Sequence, residues 1–325
     1  MSAVQTITVE PGEQEQRLDR WFGRHFPHIS HGMLEKYLRK GEVRVDGKRA
    51  KAALRLHAGN RVRIPPLPDA GAPKPVHPVK AEDAALMRNM VLYEDERVIA
   101  LNKPAGLAVQ GGSKTPRHID GMLGALARKG ERPRLAHRLD RDTSGVLLLG
   151  RDGAATAALA KAFAARKARK TYWAIVLGAP RPPQGQISGY MKKGLGPGGR
   201  ERMIAARHGD AGASFALTRY AQLARAGQRA SWLALQPQTG RTHQLRLHLA
   251  DIGHAIAGDR KYTCDRPDIG GLAGQLHLHA RAISVPHPDG QTLHIEAPLP
   301  AHMRAAFEAL GFDENDAFDA FVESP

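Results

Sequence analysis

The chain has 325 residues, 42% of them apolar, which is long enough for one large domain plus a small one, each with a core of its own. Its 48 Lys and Arg against 32 Asp and Glu leave a net charge of +16, a balance that favours a polyanionic partner, either nucleic acid or an anionic membrane surface. The lone Cys264 excludes an internal disulfide and a multi-cysteine zinc site. No apolar run reaches the ~18 residues needed to span a bilayer, and Met1-Ser2-Ala3-Val4-Gln5 lacks a secretory pattern, so a cytoplasmic protein is the expectation, with a monomer as the default.

In chain order, Leu18, Trp21, Phe22 and Phe26 follow helical spacing, and a second helical pattern carries Leu34, Tyr37 and Leu38, with Ser30 as its N-cap and Gly41 as its stop. Val43-Arg44-Val45, the turn pair Asp46-Gly47 and Arg61-Val62-Arg63-Ile64 predict a small β-ribbon with a basic face. Residues 1–64 hold 13 Lys and Arg against 7 acids. Two short helices feeding a ribbon, with Lys36, Arg39, Lys40, Arg44 and Lys48 close together, resemble the S4 RNA-binding module. The resemblance implies that these five cations contact RNA; a helical cap with a solvated charged face is the plainer reading. The proline-rich run within 65–84 reads as a linker, because proline removes donors and stiffens the chain.

A larger domain is expected over 85–311. Strands are predicted at 90–93, 98–101, 173–177, 231–235 and 293–296, and helices at 154–167 and 242–252, the last capped by Thr242 and ended by Gly253. Strands and helices mix without a βαβ rhythm, which predicts an α+β fold. Residues 312–325 read as an acidic, solvated tail.

The run His137-Arg138-Leu139-Asp140-Arg141-Asp142-Thr143-Ser144-Gly145 precedes the apolar Val146-Leu147-Leu148-Leu149, so a buried strand leaves a turn crowded with ionisable groups. Alone, that turn reads as an Arg–Asp ion-pair loop. Three further segments change the odds: Asn102-Lys103-Pro104-Ala105-Gly106, Lys170-Thr171-Tyr172-Trp173-Ala174-Ile175-Val176 and Thr239-Gly240-Arg241-Thr242-His243-Gln244-Leu245-Arg246-Leu247-His248. Together and in this order, the four resemble the pseudouridine synthases of large-subunit ribosomal RNA. Gly41-Glu42-Val43-Arg44-Val45-Asp46-Gly47-Lys48 and Leu101-Asn102-Lys103-Pro104 with Gly111-Gly112 carry a closer likeness to the subgroup that modifies several separated uridines.

That resemblance implies a mixed, mainly antiparallel sheet. It also implies isomerisation of uridine: the N-glycosidic bond breaks, the uracil turns, and C5 bonds to the same sugar carbon. Nothing is gained or lost overall, so no cofactor and no metal are expected. Asp140 matches the essential aspartate. It either attacks the sugar carbon, or stabilises cationic character there and takes a proton from it. Both routes need an ionised carboxylate in a site that excludes water, and Arg246 matches the residue that pairs with it. Tyr172 matches the active-site tyrosine that stacks on uracil and helps remove the C5 proton. Arg138 matches the residue that fills the stack when the nucleotide is extruded. Lys103 is expected to support the pocket or contact phosphate, so it is grouped with Arg138 as substrate-binding. Asp142 reads as a turn cap or a partner of Arg141, and Thr143 and Ser144 as hydrogen-bonding the turn backbone.

Gly194, Gly196 and Gly199 satisfy a dinucleotide-loop pattern, but without a preceding strand or following helix; a flexible basic loop over Lys192–Arg202 is the better reading. The implied partner is large-subunit ribosomal RNA, naked or in an assembly intermediate, with no membrane contact. The alternatives are a noncatalytic S4-type RNA-binding or ribosome-assembly factor and, more remotely, a metal-dependent RNA hydrolase.

Overall fold

The computed structural model describes residues 4–29, 31–68, 79–112, 115–199, 201–272, 274–317 and 321. The chain divides into two units, Met1–Pro78 and Val79–Pro325.

In the first unit, α1 (Leu18–His25) and α2 (His31–Lys40) lie over a four-stranded antiparallel sheet in the order β1-β4-β2-β3, built from β1 (Gln5–Thr8), β2 (Arg44–Val45), β3 (Lys48–Arg49) and β4 (Arg61–Ile64). The helical spacing puts Leu18, Trp21, Phe22, Leu34 and Leu38 into a core with Val43, Leu56, Val62 and Ile64. Gly41 (φ 72°) ends α2 as expected. Asp46 and Gly47 both take positive φ, 49° and 75°, which the tight hairpin between β2 and β3 requires. The Asp46 carboxylate fixes that turn by accepting from the Arg61 N–H and from Asn60 Nδ2, both at 2.8 Å. Ser30, the expected cap of α2, lies outside the described residues. The core extends past the expected boundary at residue 64, since Leu67 is buried in it.

The second unit begins with α3 (Ala81–Asn89), inside the segment expected to be linker. The last proline is Pro78; beyond it nothing opposes a helix, and Glu82 and Asp83 in the first turn favour one. There follow β5 (Val91–Glu94), β6 (Val98–Lys103), α4 (Ile119–Met122), β7 (Arg134–Leu135), β8 (Ser144–Gly150), α5 (Gly153–Ala164), β9 (Arg169–Leu177), β10 (Gln184–Leu195), β11 (Glu201–Ala206), β12 (Ser214–Ala226), β13 (Ala230–Pro237), α6 (Gln244–Asp251), β14 (Leu278–Pro286), β15 (Thr292–Glu296) and α7 (Ala301–Leu310). These strands form one sheet in the order β11-β10-β12-β13-β9-β14-β8-β6-β5, with β15 added to β14 and β7 to β8. Every pairing is antiparallel except β14 with β8, so the unit is α+β with a mainly antiparallel sheet. On one face, Trp173, Trp232 and Phe307 pack together, with Trp232 centred 4.7 Å from Trp173 and 4.8 Å from Phe307. On the other, Leu245 and Leu249 of α6 cover Ala174, Val176, Leu233 and Leu235.

The parallel join of β14 to β8 demands a glycine. Gly145 has φ 108°, and a Cβ there would stand 2.2 Å from the Ala280 carbonyl oxygen. Two expectations are corrected. Residues 192–195 and 201–202 are no loose loop but paired strand ends, in which Leu195 faces Glu201 across β10 and β11. The tail is not wholly solvated either: Phe312 and Phe321 pack into the cluster around Trp232, because burying an aromatic ring outweighs solvating its acidic neighbours.

Buried histidines make the second unit acid-sensitive. His248, His254, His277 and His279 are all at most 7% exposed, and burial lowers the pKa of each, to about 4 for His248 and His279. The unfolded chain protonates them near pH 6.5 while the fold keeps them neutral. Stability is therefore expected to fall as pH drops from about 6.5 towards 4, by up to ~1.4 kcal/mol per pH unit for each such histidine. Urea midpoints at pH 7.5 and 5.5 measure it; equal midpoints would contradict neutral burial.

Candidate active site

Two of the four motifs are clamped together by one lysine. Lys103, at the end of β6, is fully buried, and its Nζ donates to the carbonyls of Pro104 (2.9 Å), Leu107 (2.8 Å) and Arg141 (2.8 Å). Gly106 and Arg141 add two reciprocal bonds of 2.9 Å, from the Gly106 N–H to the Arg141 carbonyl and from Arg141 Nε to the Gly106 carbonyl. Burial pulls the Lys103 pKa down to about 7, against the opposing charges of Asp142 and Asp140. The expected phosphate contact is thus corrected. Two of its donor bonds fix its own loop, the third ties that loop to the turn that carries Asp140, and no part of it reaches solvent. Lys103→Met is expected to leave three carbonyls short of a donor and cost about 1–3 kcal/mol, with loss of activity through a loosened turn; thermal melts and turnover check it, and wild-type values in both would refute it.

The turn is pinned on its other sides by histidines. His137 Nε2 accepts the Leu148 N–H at 2.9 Å, which requires a neutral ring, and burial and then the Lys170 charge lower its pKa to about 3. Ser144, expected to bond the turn backbone, instead sets its Oγ 2.9 Å from Nδ1 of the fully buried His279. Between these anchors, Arg138 is exposed and Asp140 half-buried. Asp142 is exposed and, among the described residues, forms no ion pair with Arg141.

Tyr172 reaches the same place from β9, where it pairs with Leu235 and Ala280. Burial, reinforced by the Asp140 charge, pushes its phenol well above the usual range, so it stays protonated. Lys170, with its pKa lowered by burial, lies two residues before it.

Arg246 comes from α6. The expected cap Thr242 does not cap this helix. His243 is the N-cap, at φ 53°, and its Nδ1 lies 2.9 Å from the Tyr262 hydroxyl. Gln244 locks the preceding loop: its Oε1 accepts from Thr239 Oγ1 (2.7 Å) and the Arg241 N–H (3.1 Å), and its Nε2 donates to the Leu217 carbonyl (2.9 Å). The pairing of Arg246 also departs from expectation. Its Nε and Nη2 each lie 2.7 Å from the Asp259 carboxylate, and among the described residues no ion pair joins it to Asp140. The Asp259 side chain has no exposure and also accepts the N–H groups of Lys261 and Tyr262. Burial opposes the Arg246 charge, but the bonds and charge of Asp259 more than offset it, with smaller help from Asp140 and Asp142, so its pKa is raised.

The result is a cleft of about 820 Å³ whose lining includes Arg138, Asp140, Lys170, Tyr172, Arg241 and Arg246. Arg246 also borders a second cleft of about 910 Å³, with Arg141, Asp142, Arg202 and Lys261. One ionisable carboxylate, a protonated phenol and several cations converge on the first, which suits an anionic ligand and charge development at one carbon. The cations expected to bind RNA belong to the first unit. Lys36, Arg39, Lys40, Arg44 and Lys48 are all exposed there; Lys40 lies 3.5 Å from Glu42, and Arg44 donates to the carbonyls of Gly41 and Gly47.

Residues 97–251 match the family model described as RNA pseudouridylate synthase. Over 314 residues the chain is 32% identical to the ribosomal large subunit pseudouridine synthase C of Escherichia coli K12, covering 95% of this chain and 97% of the relative. The chain belongs to the RNA pseudouridylate synthase family. A relative of the same description from Rickettsia felis is 33% identical over 90% of this chain and 95% of its own length. Among solved structures, human RNA pseudouridylate synthase domain containing 4 superposes with a TM-score of 0.60 at 28% identity, over 71% of this chain and 97% of that one. The sheet is therefore of the pseudouridine synthase type, and the chain is an isomerase.

Within this pseudouridylate synthase, Asp259 and Gln244 are the site-shaping residues that sequence reasoning did not single out. Asp259 stands in a loop with no periodic pattern; its only signal is an acid between Gly258 and the bases Arg260 and Lys261. Gln244 was visible in the basic motif, but its role depends on β12, which sequence reasoning did not identify.

Proposed function

We propose that this chain isomerises particular uridines of large-subunit ribosomal RNA to pseudouridine, with Asp140 as the acting carboxylate. The observation that carries the reading is the convergence of Arg138, Asp140, Tyr172 and Arg246 on one cleft. The relatives named as large-subunit pseudouridine synthases favour that RNA as the substrate class. Arg138, exposed at the rim, is free to fill the stack vacated by an extruded nucleotide, a step costing a few kcal/mol that contacts must offset. Tyr172 offers its ring to the uracil. Burial, with the Asp140 charge adding to it, keeps the phenol protonated. Attack of Asp140 on the sugar carbon breaks the N-glycosidic bond and leaves the negative charge on the departing uracil; the alternative route has Asp140 stabilise cationic character at that carbon and take a proton from the sugar.

Arg246 supplies fixed positive charge beside the carboxylate. The first unit, through Lys36, Arg39, Lys40, Arg44 and Lys48, adds salt-dependent phosphate contacts in the manner of an S4 module. The protein acts as a cytoplasmic monomer on naked RNA or an assembly intermediate, without a cofactor. The test is incubation of the purified protein with large-subunit ribosomal RNA and with transfer RNA, followed by pseudouridine mapping. New pseudouridine at discrete large-subunit sites is expected. Conversion of transfer RNA alone would overturn the substrate, and tight binding without conversion would leave the noncatalytic RNA-binding reading.

A further inference from the structure

The hairpin β10–β11 and the neighbouring strand β12 carry an aromatic cluster outside the cleft. Tyr190 faces Phe215 across the β10–β12 ladder and Ala206 across β10–β11. The Phe215 ring is centred 5.6 Å from Tyr190, and the ring of His208, in the turn after β11, is 5.1 Å away on the other side. Phe215 is 42% exposed, which makes it one of few large apolar side chains in the described chain left open to solvent. His208 is exposed and Tyr190 half-buried.

Three features speak against an accidental surface ring. Tyr190 and Phe215 sit on paired strands, so these two rings are held rigidly and lose little freedom on binding. Its surroundings are cationic: Arg207 adjoins His208, and Lys192, beside Tyr190 on the same strand face, pairs with Asp210 at 2.8 Å, which in turn accepts the Arg207 N–H and shapes the turn. The cluster is also tied to the cleft. Arg241, which lines the cleft with Asp140, donates from Nε to the Phe215 carbonyl at 3.0 Å.

We infer that the exposed Phe215 ring, buttressed edge-on by Tyr190 at an interplanar angle of 65°, is a stacking platform for an unpaired nucleobase of the substrate strand, next to the nucleotide that enters the cleft. Stacking suits any base, because each has a π face, and flanking arginines suit the adjoining phosphates. The inference rests on the RNA-isomerase reading and deepens it. A platform beside the cleft holds the strand while its neighbour is turned out, so the protein selects target uridines by an unpaired neighbour as well as by the uridine itself.

The test uses the full chain and the shortest large-subunit ribosomal RNA transcript that the wild type converts. Phe215→Ala is expected to raise Kd and KM about 5- to 100-fold, the span of one lost base stack, with kcat at saturating RNA unchanged. Phe215→Trp is expected to restore affinity. Phe215→Leu, which keeps apolar bulk without a π face, is expected not to. Because Phe215 is 42% open to solvent and lies outside the buried clusters, thermal melts of all three should stay near wild type; should Phe215→Ala unfold, the Trp and Leu variants still decide between stacking and bulk. Wild type that converts RNA, together with a Phe215→Leu variant of unaltered Kd, overturns the platform alone. Wild type that neither binds nor converts any ribosomal RNA overturns the isomerase reading and the platform with it.

Discussion

Asp140→Asn is expected to fold, to bind RNA with near wild-type affinity and to form pseudouridine more than about 10³-fold more slowly. The substitution keeps the shape of the side chain and removes one charge from a half-buried position. The turn around it is held by Lys103, Gly106 and Arg141 through backbone carbonyls, so the scaffold does not depend on the Asp140 carboxylate. What is lost is the anion itself, which either attacks the sugar carbon or stabilises charge on it. Loss of that charge also removes part of what raises the Tyr172 pKa. A phenol titration shifted downwards in the variant would show that the two residues share one electrostatic site. Turnover near the wild-type rate would remove Asp140 from the mechanism.

The second large effect is expected at Asp259. Asp259→Ala strands the Arg246 guanidinium in a place where it is 6% exposed, and breaking such a pair by removing one partner typically costs about 3–5 kcal/mol. Urea denaturation should show that loss directly. Stability and chemistry can then be separated with Arg246→Met combined with Asp259→Leu. Replacing both members of a buried pair with apolar groups is often neutral, so the double variant is expected to recover much of the stability lost by Asp259→Ala. It should not recover turnover, because the cleft then lacks the cation that faces Asp140. Full stability in Asp259→Ala would show that Arg246 finds another partner, and wild-type turnover in the double variant would make the pair purely architectural.

Local chemistry was well written in the sequence. The spacing of Leu18, Trp21 and Phe22 produced α1, the pair Asp46-Gly47 produced the turn its φ values need, and Asp152 caps α5 by accepting the Ala155 N–H. The sheet order was not legible, nor was the β10–β12 meander. Glycines and lysines break up β10, where Ile187 and Met191 are the only buried large residues over Gln184–Leu195, so its period-two signal is thin. Phe312 and Phe321 sit among acids, which hid their burial behind a charged composition.

The sequence by itself determined the family, through four motifs in one order, and with it the expectation of a carboxylate, a tyrosine and arginines at the site. It also determined the basic character suited to a polyanion and the local turns and helices, since these depend on side-chain type and short-range spacing alone. Only the tertiary structure decided that Arg246 pairs with Asp259 across 13 residues, that Lys103 is an internal clamp, and that Phe215 and Tyr190 meet on an exposed sheet face. Which charge meets which, and which is taken out of water, depends on distance through space and on burial. Neither quantity exists until strands far apart in the chain have been brought side by side.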